Sequence, residues 1–452
     1  MAIFAPKNED LNRPAPEERG YTSQAIEDLI ERVSASIAGP RTRRLFRNCL
    51  PNTLDTTIRF RYEEGIPDTF VITGDIEAMW LRDSSAQVWP YLAIIEQDSG
   101  LSDVIAGVIN RQIKCVLIDP YANAFNEGPI GSEWDTDLTT MKPELHERKW
   151  EIDSLCYVLR LGYGYWKTTG RTECFGIEWL DAMKTIVRTL REQQRKDSAG
   201  TYTFMRETPI ASDTVPMRGW GNPTKPTGMV HSMLRPSDDA CIYPYLIPSN
   251  LFAVVELGHL AEMLRALHSA EDLALESEAL AAEISGAVQK YAIRKHPIYG
   301  DVYSYEVDGY ENAVYMDDAN VPSLLSLPYL GYCTVDDPVY QNTRRLILSL
   351  DNPYFYRGKA GEGIGGPHIG PGYIWPMSII MRALTSGDDI EISTCLKSLA
   401  ETDGGAGFLH ESFHKDDPND FTRPWFAWVN TLFGELILKV HSERPHLLAA
   451  TV

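Results

Sequence analysis

The sequence has no CxxC pair and no paired cysteine spacing; its seven cysteines, from Cys49 to Cys395, are odd in number and widely scattered. Zinc ribbons and disulfide frameworks both need closer or paired spacing, so neither is expected. Scattered thiols fit a reducing compartment. No run of about 18 apolar residues occurs, which excludes a membrane-spanning helix. The first twenty residues, MAIFAPKNEDLNRPAPEERG, lack a basic stretch followed by an apolar run. They do not read as a signal peptide, and a cytoplasmic location is the expectation. No P-loop, GxGxxG or GxSxG string is present, so nucleotide binding and serine hydrolysis lack their motifs. Positive charge is scarce: 42 Lys and Arg stand against 63 Asp and Glu, a net charge of −21. A nucleic-acid partner or an anionic membrane surface would need clustered cations, so neither is expected.

What remains is ordinary globular composition, 44% hydrophobic and 23% charged over 452 residues, enough for a large core without metals or disulfides. Residues 1–20 are polar and proline-rich and read as a mobile arm; 21–452 read as one catalytic domain, since no linker divides them. Apolar residues recur at helical spacing in 23–38, 84–98, 101–118, 152–167, 179–194 and 250–267. The same holds for 271–293, 321–330, 337–350, 374–384, 390–400 and 424–440. Strand-like alternation is short, as at 69–73 and 301–306.

Acidic, aromatic, glycine and proline residues gather in six segments: 73–83, 121–153, 235–250, 303–320, 363–376 and 410–428. Each runs into every second helix. Six helical hairpins in a ring, with inner helices presenting their N-terminal loops at one end, produce that alternation; the prediction is an all-α (α/α)6 barrel.

Those loops carry the candidate chemistry. In TGDIEAMWLRDS (73–84), Arg82 beside Asp83 offers donors and acceptors to a vicinal diol, and Trp80 offers a flat apolar face. A helix-start salt bridge is the plainer reading. In RPSDD (235–239), Asp238 and Asp239 beside Arg235 suit general acid work, cation binding or an ordinary turn; the residues alone do not choose between the two carboxyls. In HESFH (410–414), Glu411 lies between two imidazoles. The His spacing is compatible with zinc on a helix, but the acidic and aromatic flank reads as a loop, which favours Glu411 as a general base. An acidic, aromatic-lined pocket fits a neutral polyhydroxylated ligand.

Taken together, several strings carry a resemblance over nearly the whole chain after residue 40. They are TGDIEAMWLRDS, DPYANAFN (119–126), ERKWEIDSLCY (147–157), RPSDDACIYPYLIPSN (235–250), MDDANVPSLL (316–325), NPYFYRG (352–358) and HESFHKDDP (410–418). The chain resembles glycoside hydrolase family 125, the exo-acting α-1,6-mannosidases. The resemblance implies an (α/α)6 barrel that hydrolyses terminal mannose with inversion and without metal or cofactor, on α-mannoside oligosaccharides such as N-glycan or mannan fragments. It also implies Asp238 as general acid and Glu411 as general base. Asp75, Trp80, Arg82, Asp83, Asn126, Arg235, Asp239 and His410 are the expected substrate-binding residues. Burial or Asp239 should raise the pKa of Asp238, so that it stays protonated near neutral pH. One departure is visible: the string before RPSDD reads GMVHSMLRPSDD, with His231 and Leu234 where bacterial members often have aromatics, so altered contacts to the leaving sugar are expected. Two alternatives are a metal-dependent helical-toroid lyase, with Asp238, Asp239, Asp317 and Asp318 as ligands, and a glycan-binding protein without turnover.

Overall fold

The structure is a computed structural model and describes residues 12–450. Fourteen α-helices occur among the described residues: α1 (Gln24–Ser34), α2 (Pro40–Cys49), α3 (Asn52–Thr56), α4 (Leu81–Val88), α5 (Ser99–Ile118), α6 (Ile152–Thr169), α7 (Ile177–Gln193), α8 (Ile247–His268), α9 (Glu271–Tyr291), α10 (Pro338–Ile347), α11 (Pro376–Leu384), α12 (Asp389–Glu401), α13 (Ala427–Glu443) and α14 (Pro445–Ala449). They form an (α/α)6 barrel. The inner ring runs α4, α6, α8, the segment 321–330, α11 and α13, with α13 packing back on α4. Helices α2, α5, α7, α9, α10 and α12 make the outer layer. Inner helices are covered on every side: every residue of α4 is buried, and its polar Ser84, Ser85 and Gln87 are hydrogen-bonded inside the ring.

Helices α3 and α14 are additions to the sequence expectation, and three further differences have a clear physical cause. The inner element at 321–330 is a run of turns, not a helix. Pro322 and Pro328 remove amide donors, and the Asp317 carboxylate accepts from the amides of Leu324 (2.8 Å) and Leu325 (3.0 Å), which diverts them from helical bonding. The expected helix 84–98 is α4 followed by a 3₁₀ stretch, Trp89–Gln97, where Pro90 ends the α-pattern. Helix α2 went unseen because PRTRRLFRNC is mostly polar; its Leu45, Phe46 and Cys49 nevertheless form one buried stripe.

The N-terminal arm expected over 1–20 is described only in part. Residues 1–11 lie outside the described residues. Residues 12–20 are anchored: Arg13 pairs with Asp55 and with Glu27, each at 2.6 Å.

Short sheets tie the loops together at the N-terminal end of the inner ring. Met79–Trp80, Ala124–Phe125 and Leu145–Glu147 form one, and Tyr373–Ile374, Ser412–His414 and Asp417–Thr422 another. Tyr245–Leu246, Glu306–Val307 and Ala313–Val314 form a third. The ring closes where Gly74 bridges Phe426 and the Ala427 amide donates to the Thr73 carbonyl at 3.0 Å. Gly74 has φ +133° and a Cβ there would overlap the Trp425 carbonyl oxygen, so the closure requires glycine.

Candidate active site

The loops enclose a cavity of about 490 Å³ at that end of the barrel. Its walls include Trp80, Arg82, Asp83, Asp238, Asp239 and Glu411, six of the ten residues expected from sequence.

Arg82, on the first turn of α4, is the electrostatic centre. Its Nη1 donates to Glu151 at 2.6 Å and to Asp153 at 3.1 Å, its Nη2 reaches Asp238 Oδ1 at 3.5 Å, and its Nε lies 3.5 Å from Asp83. Burial raises the Asp83 carboxyl to about 6, against the opposing pull of Arg82 and Arg423. Its nearest charged partner is the Arg82 Nε, and it lines the cavity, so it can accept hydroxyl protons from a ligand.

Asp238 sits on a tight turn with φ +66°, a left-handed conformation that Asp tolerates better than most residues. The turn is pinned: the Asp238 amide donates to the Arg235 carbonyl (2.9 Å), and Lys149 Nζ donates to the Asp238 carbonyl (3.1 Å). Ser237 Oγ bonds both Asp239 (2.8 Å) and Asp318 (3.1 Å). The Asp238 carboxylate accepts from Asn123 Nδ2 at 3.2 Å. Burial alone would raise its pKa, but Lys149, Arg82 and a hydrogen bond from Glu151 together hold it below the usual carboxylate range. The expectation of a raised Asp238 is therefore corrected: the carboxyl pushed well above its ordinary value, chiefly by burial, is that of Glu151.

Glu411 comes from the last loop. Thr422 Oγ1 donates to it at 2.9 Å and Arg423 Nη1 lies 3.4 Å away. His368, 3.8 Å from Asp239, is raised to about 9: burial opposes its charge, but Asp239, Glu411 and Asp238 outweigh that. Trp134, Trp375, Phe426 and Trp428 complete the aromatic lining. The indole N–H groups of Trp80 and Trp375 have no acceptor within the protein, which suits them to ligand hydroxyls.

Four expected residues do not line the cavity. Asn126 donates to the carbonyls of Gly131, Pro143 and Leu145 and so holds its own loop. The asparagine of that string that touches Asp238 is Asn123. Arg235 is buried against Glu306 (2.7 Å) and the Tyr305 ring, because an unpaired guanidinium could not stay in the core. His410 stacks on Phe421 at 3.6 Å and bonds the Asp403 carbonyl. Asp75 is exposed and grips Arg423 at 2.6 Å, reaching the cavity only through that side chain. His231 and Leu234 are also core residues, His231 bonded to Thr224 and Gln193. Their departure from the bacterial pattern thus falls away from the cavity.

Sequence reasoning missed Lys149, Glu151, Asp153, Arg206, His368 and Arg423. For the first three a signal existed: charges at 149, 151 and 153 alternate with buried Trp150 and Ile152 just before a helix, which aims the charges to one side. Arg206 stacks over Trp134 at 3.6 Å and pairs with Asp137, Glu147 and Asp213.

Of the carboxylates proposed as cation ligands, Asp317 and Asp318 are taken up in structural hydrogen bonds. Asp317 binds two amides, as above, and Asp318 accepts from Ser237 and Asn320. Among the described residues no group of three or more His, Cys, Asp and Glu has metal-ligand geometry.

Comparison with known proteins gives concordant matches. The family model for metal-independent α-mannosidases, glycoside hydrolase family 125, matches residues 39–438. The meiotically up-regulated gene 157 protein of Schizosaccharomyces pombe is 44% identical, over 97% of this chain and 90% of that protein. A metal-independent α-mannosidase of Streptococcus pneumoniae, solved in a non-productive complex with α-1,6-mannobiose, is 44% identical with a TM-score of 0.90, over 94% of this chain and 100% of that one. A bacterial glucoamylase solved with acarbose, at 11% identity and a TM-score of 0.55 over 92% of this chain and 59% of that one, shares the fold.

Proposed function

The chain belongs to the metal-independent α-mannosidases of glycoside hydrolase family 125, and from that premise we propose an exo-acting, inverting α-1,6-mannosidase with Asp238 as general acid and Glu411 as general base. The observation that carries the assignment is that two carboxyls from distant loops line one cavity around Arg82 and Asp83. The α-1,6 linkage rests on the mannobiose bound by the Streptococcus pneumoniae relative.

In this reading Arg82 and Asp83 hold vicinal hydroxyls of the terminal mannose, with Trp80 and Trp375 against its faces. Asp238 gives a proton to the glycosidic oxygen as the bond from C1 breaks. Glu411, oriented by Thr422 and Arg423, takes a proton from the water that attacks C1 from the opposite face. An inverting pair needs roughly 6.5–9.5 Å between its carboxyls to admit that water. No step calls for a Lewis acid. Seven unpaired thiols, six of them buried, support a cytoplasmic setting. No helix among the described residues is long and apolar enough to cross a membrane.

The test is a leaving-group comparison. Asp238→Asn should cut turnover of α-1,6-mannobiose by about 10²–10⁴-fold, the usual range for a lost general acid. It should harm α-mannosyl fluoride far less, because fluoride departs without a proton. Glu411→Gln should harm both alike. Equal damage by Asp238→Asn on the two substrates would remove Asp238 from the acid role.

A further inference from the structure

The cavity floor holds more carboxyl groups than the mechanism above uses. Asp83, Glu151, Asp153 and Asp238 all lie within 3.5 Å of the single guanidinium of Arg82. Of the other cations nearby, Lys149 is shared with Asp213 (2.7 Å) and Glu147 (3.2 Å), Arg423 with Asp75 and Glu411, and His368 with Asp239. Buried carboxylates in such excess over cations cannot all be ionised; at least one retains its proton. Geometry points to which one. The Glu151 side chain is wholly buried, and its Oε2 is satisfied by Arg82 and Ser154. Its Oε1 is buried with no donor in the protein. Glu151 and Asp238 stand side by side on the two Nη atoms of Arg82, at 2.6 and 3.5 Å, in hydrogen-bonding contact with each other; Asp153 Oδ1 also lacks a donor, but Asp153 makes no such contact with Asp238. An oxygen without a donor beside another carboxylate is satisfied when it carries a proton and becomes the donor itself.

Resting on the assignment of Asp238 as the acid, we propose that Glu151 and Asp238 hold one proton in common, and that Glu151 is the positioning residue that keeps the acid loaded between turnovers. Glu151 touches no substrate in this scheme; it acts through Asp238. In the open site Lys149, Arg82 and His368 keep Asp238 ionised and the proton rests on Glu151. A mannoside that fills the cavity strips water from the Asp238 carboxylate, which is the more exposed of the pair, at 22% of its side chain against none for Glu151. Desolvation favours the neutral form, so the proton crosses to Asp238. It then passes to the glycosidic oxygen, which receives the electron pair of the breaking C1–O bond. Water supplies hydroxyl to C1 and its proton to Glu411. Glu411 releases that proton to solvent, and solvent returns one to the pair. The opposite pKa shifts of the two groups, Glu151 up and Asp238 down, agree with this resting state.

Glu151→Gln tests it. The amide keeps the shape and the hydrogen bond of a protonated Glu151 but has no proton to give. Asp238 must then take its proton unaided beside Lys149 and Arg82. Turnover of α-1,6-mannobiose at pH 7 should fall about a hundredfold, within the range of a lost general acid. The alkaline limb of its pH profile should move to lower pH by about one unit or more. α-Mannosyl fluoride should be cleaved at close to the wild-type rate. Glu151→Asp, which keeps an acid but withdraws it by one methylene, should recover part of both effects. An unmoved alkaline limb, or equal loss on both substrates, would overturn the proposal. If Glu151→Gln does not fold, the Glu151→Asp profile decides by the same two outcomes. A leaving-group split in Asp238→Asn that is missing from the Glu151 variants would sink this inference alone; its absence from Asp238→Asn would sink the acid assignment itself.

Discussion

Burial lifts the Asp83 carboxyl to about 6 from an ordinary value of 3.8, and that shift links sugar binding to stability. A carboxyl raised in the folded state contributes stability below its unfolded pKa and loses it as pH climbs through the folded value. The window here runs from about pH 4 to about pH 6. Above it, the ionised group works against folding by about 2–3 kcal/mol. Asp83→Asn should therefore be more stable than wild type at pH 7, with the advantage fading toward pH 4, while mannoside binding is lost. Thermal melts of both proteins across that range check it; an advantage independent of pH would refute it. Asp83 was legible from its place beside Arg82 at a helix start. Arg235 and His410 were misassigned because adjacency to a catalytic carboxyl in the chain does not fix direction. His410 and Glu411 are neighbours on an extended segment and point to opposite sides, Arg235 is separated from Asp238 by a tight turn, and both side chains went into the core.

The loop 128–144, which brings Trp134 to the cavity wall, is held by a residue that does not line the cavity. Asn126 anchors it through three carbonyls, at 3.0, 3.1 and 3.1 Å. Asn126→Ala removes those bonds, at a cost of about 1–3 kcal/mol. Stability should drop by that amount in denaturant titration, with Kd for α-1,6-mannobiose changed little. A large loss of affinity in a protein of unchanged stability would return Asn126 to the sugar. Elements were readable where apolar spacing was strong, as in α5, α6, α8 and α9. They were not where a side chain overrode the pattern: Asp317 capturing the amides of Leu324 and Leu325 turns an apparent inner helix into turns. Helix α2 was hidden for the opposite reason, since four of its ten residues are Arg.

The whole ring is needed to assemble the site. Arg82 and Asp83 come from the first hairpin, Lys149 from the second, Asp238 from the third, Asn320 from the fourth, His368 and Trp375 from the fifth and Glu411 from the sixth. The closure at Gly74 and Phe426 joins the first of these to the last. The alternation of chemistry-rich and plain loops in the sequence was a trace of this architecture, because only inner helices open onto the cavity. The central claim is that one water, activated by Glu411, displaces a leaving group protonated by Asp238 in a single step. Incubation with α-1,6-mannobiose, followed by NMR from the first minutes, tests it most directly. Inversion gives β-mannose as the first sugar released, turning to the α-anomer only as mutarotation proceeds. α-Mannose as the initial product would require a covalent intermediate and would contradict the roles given to both carboxyls.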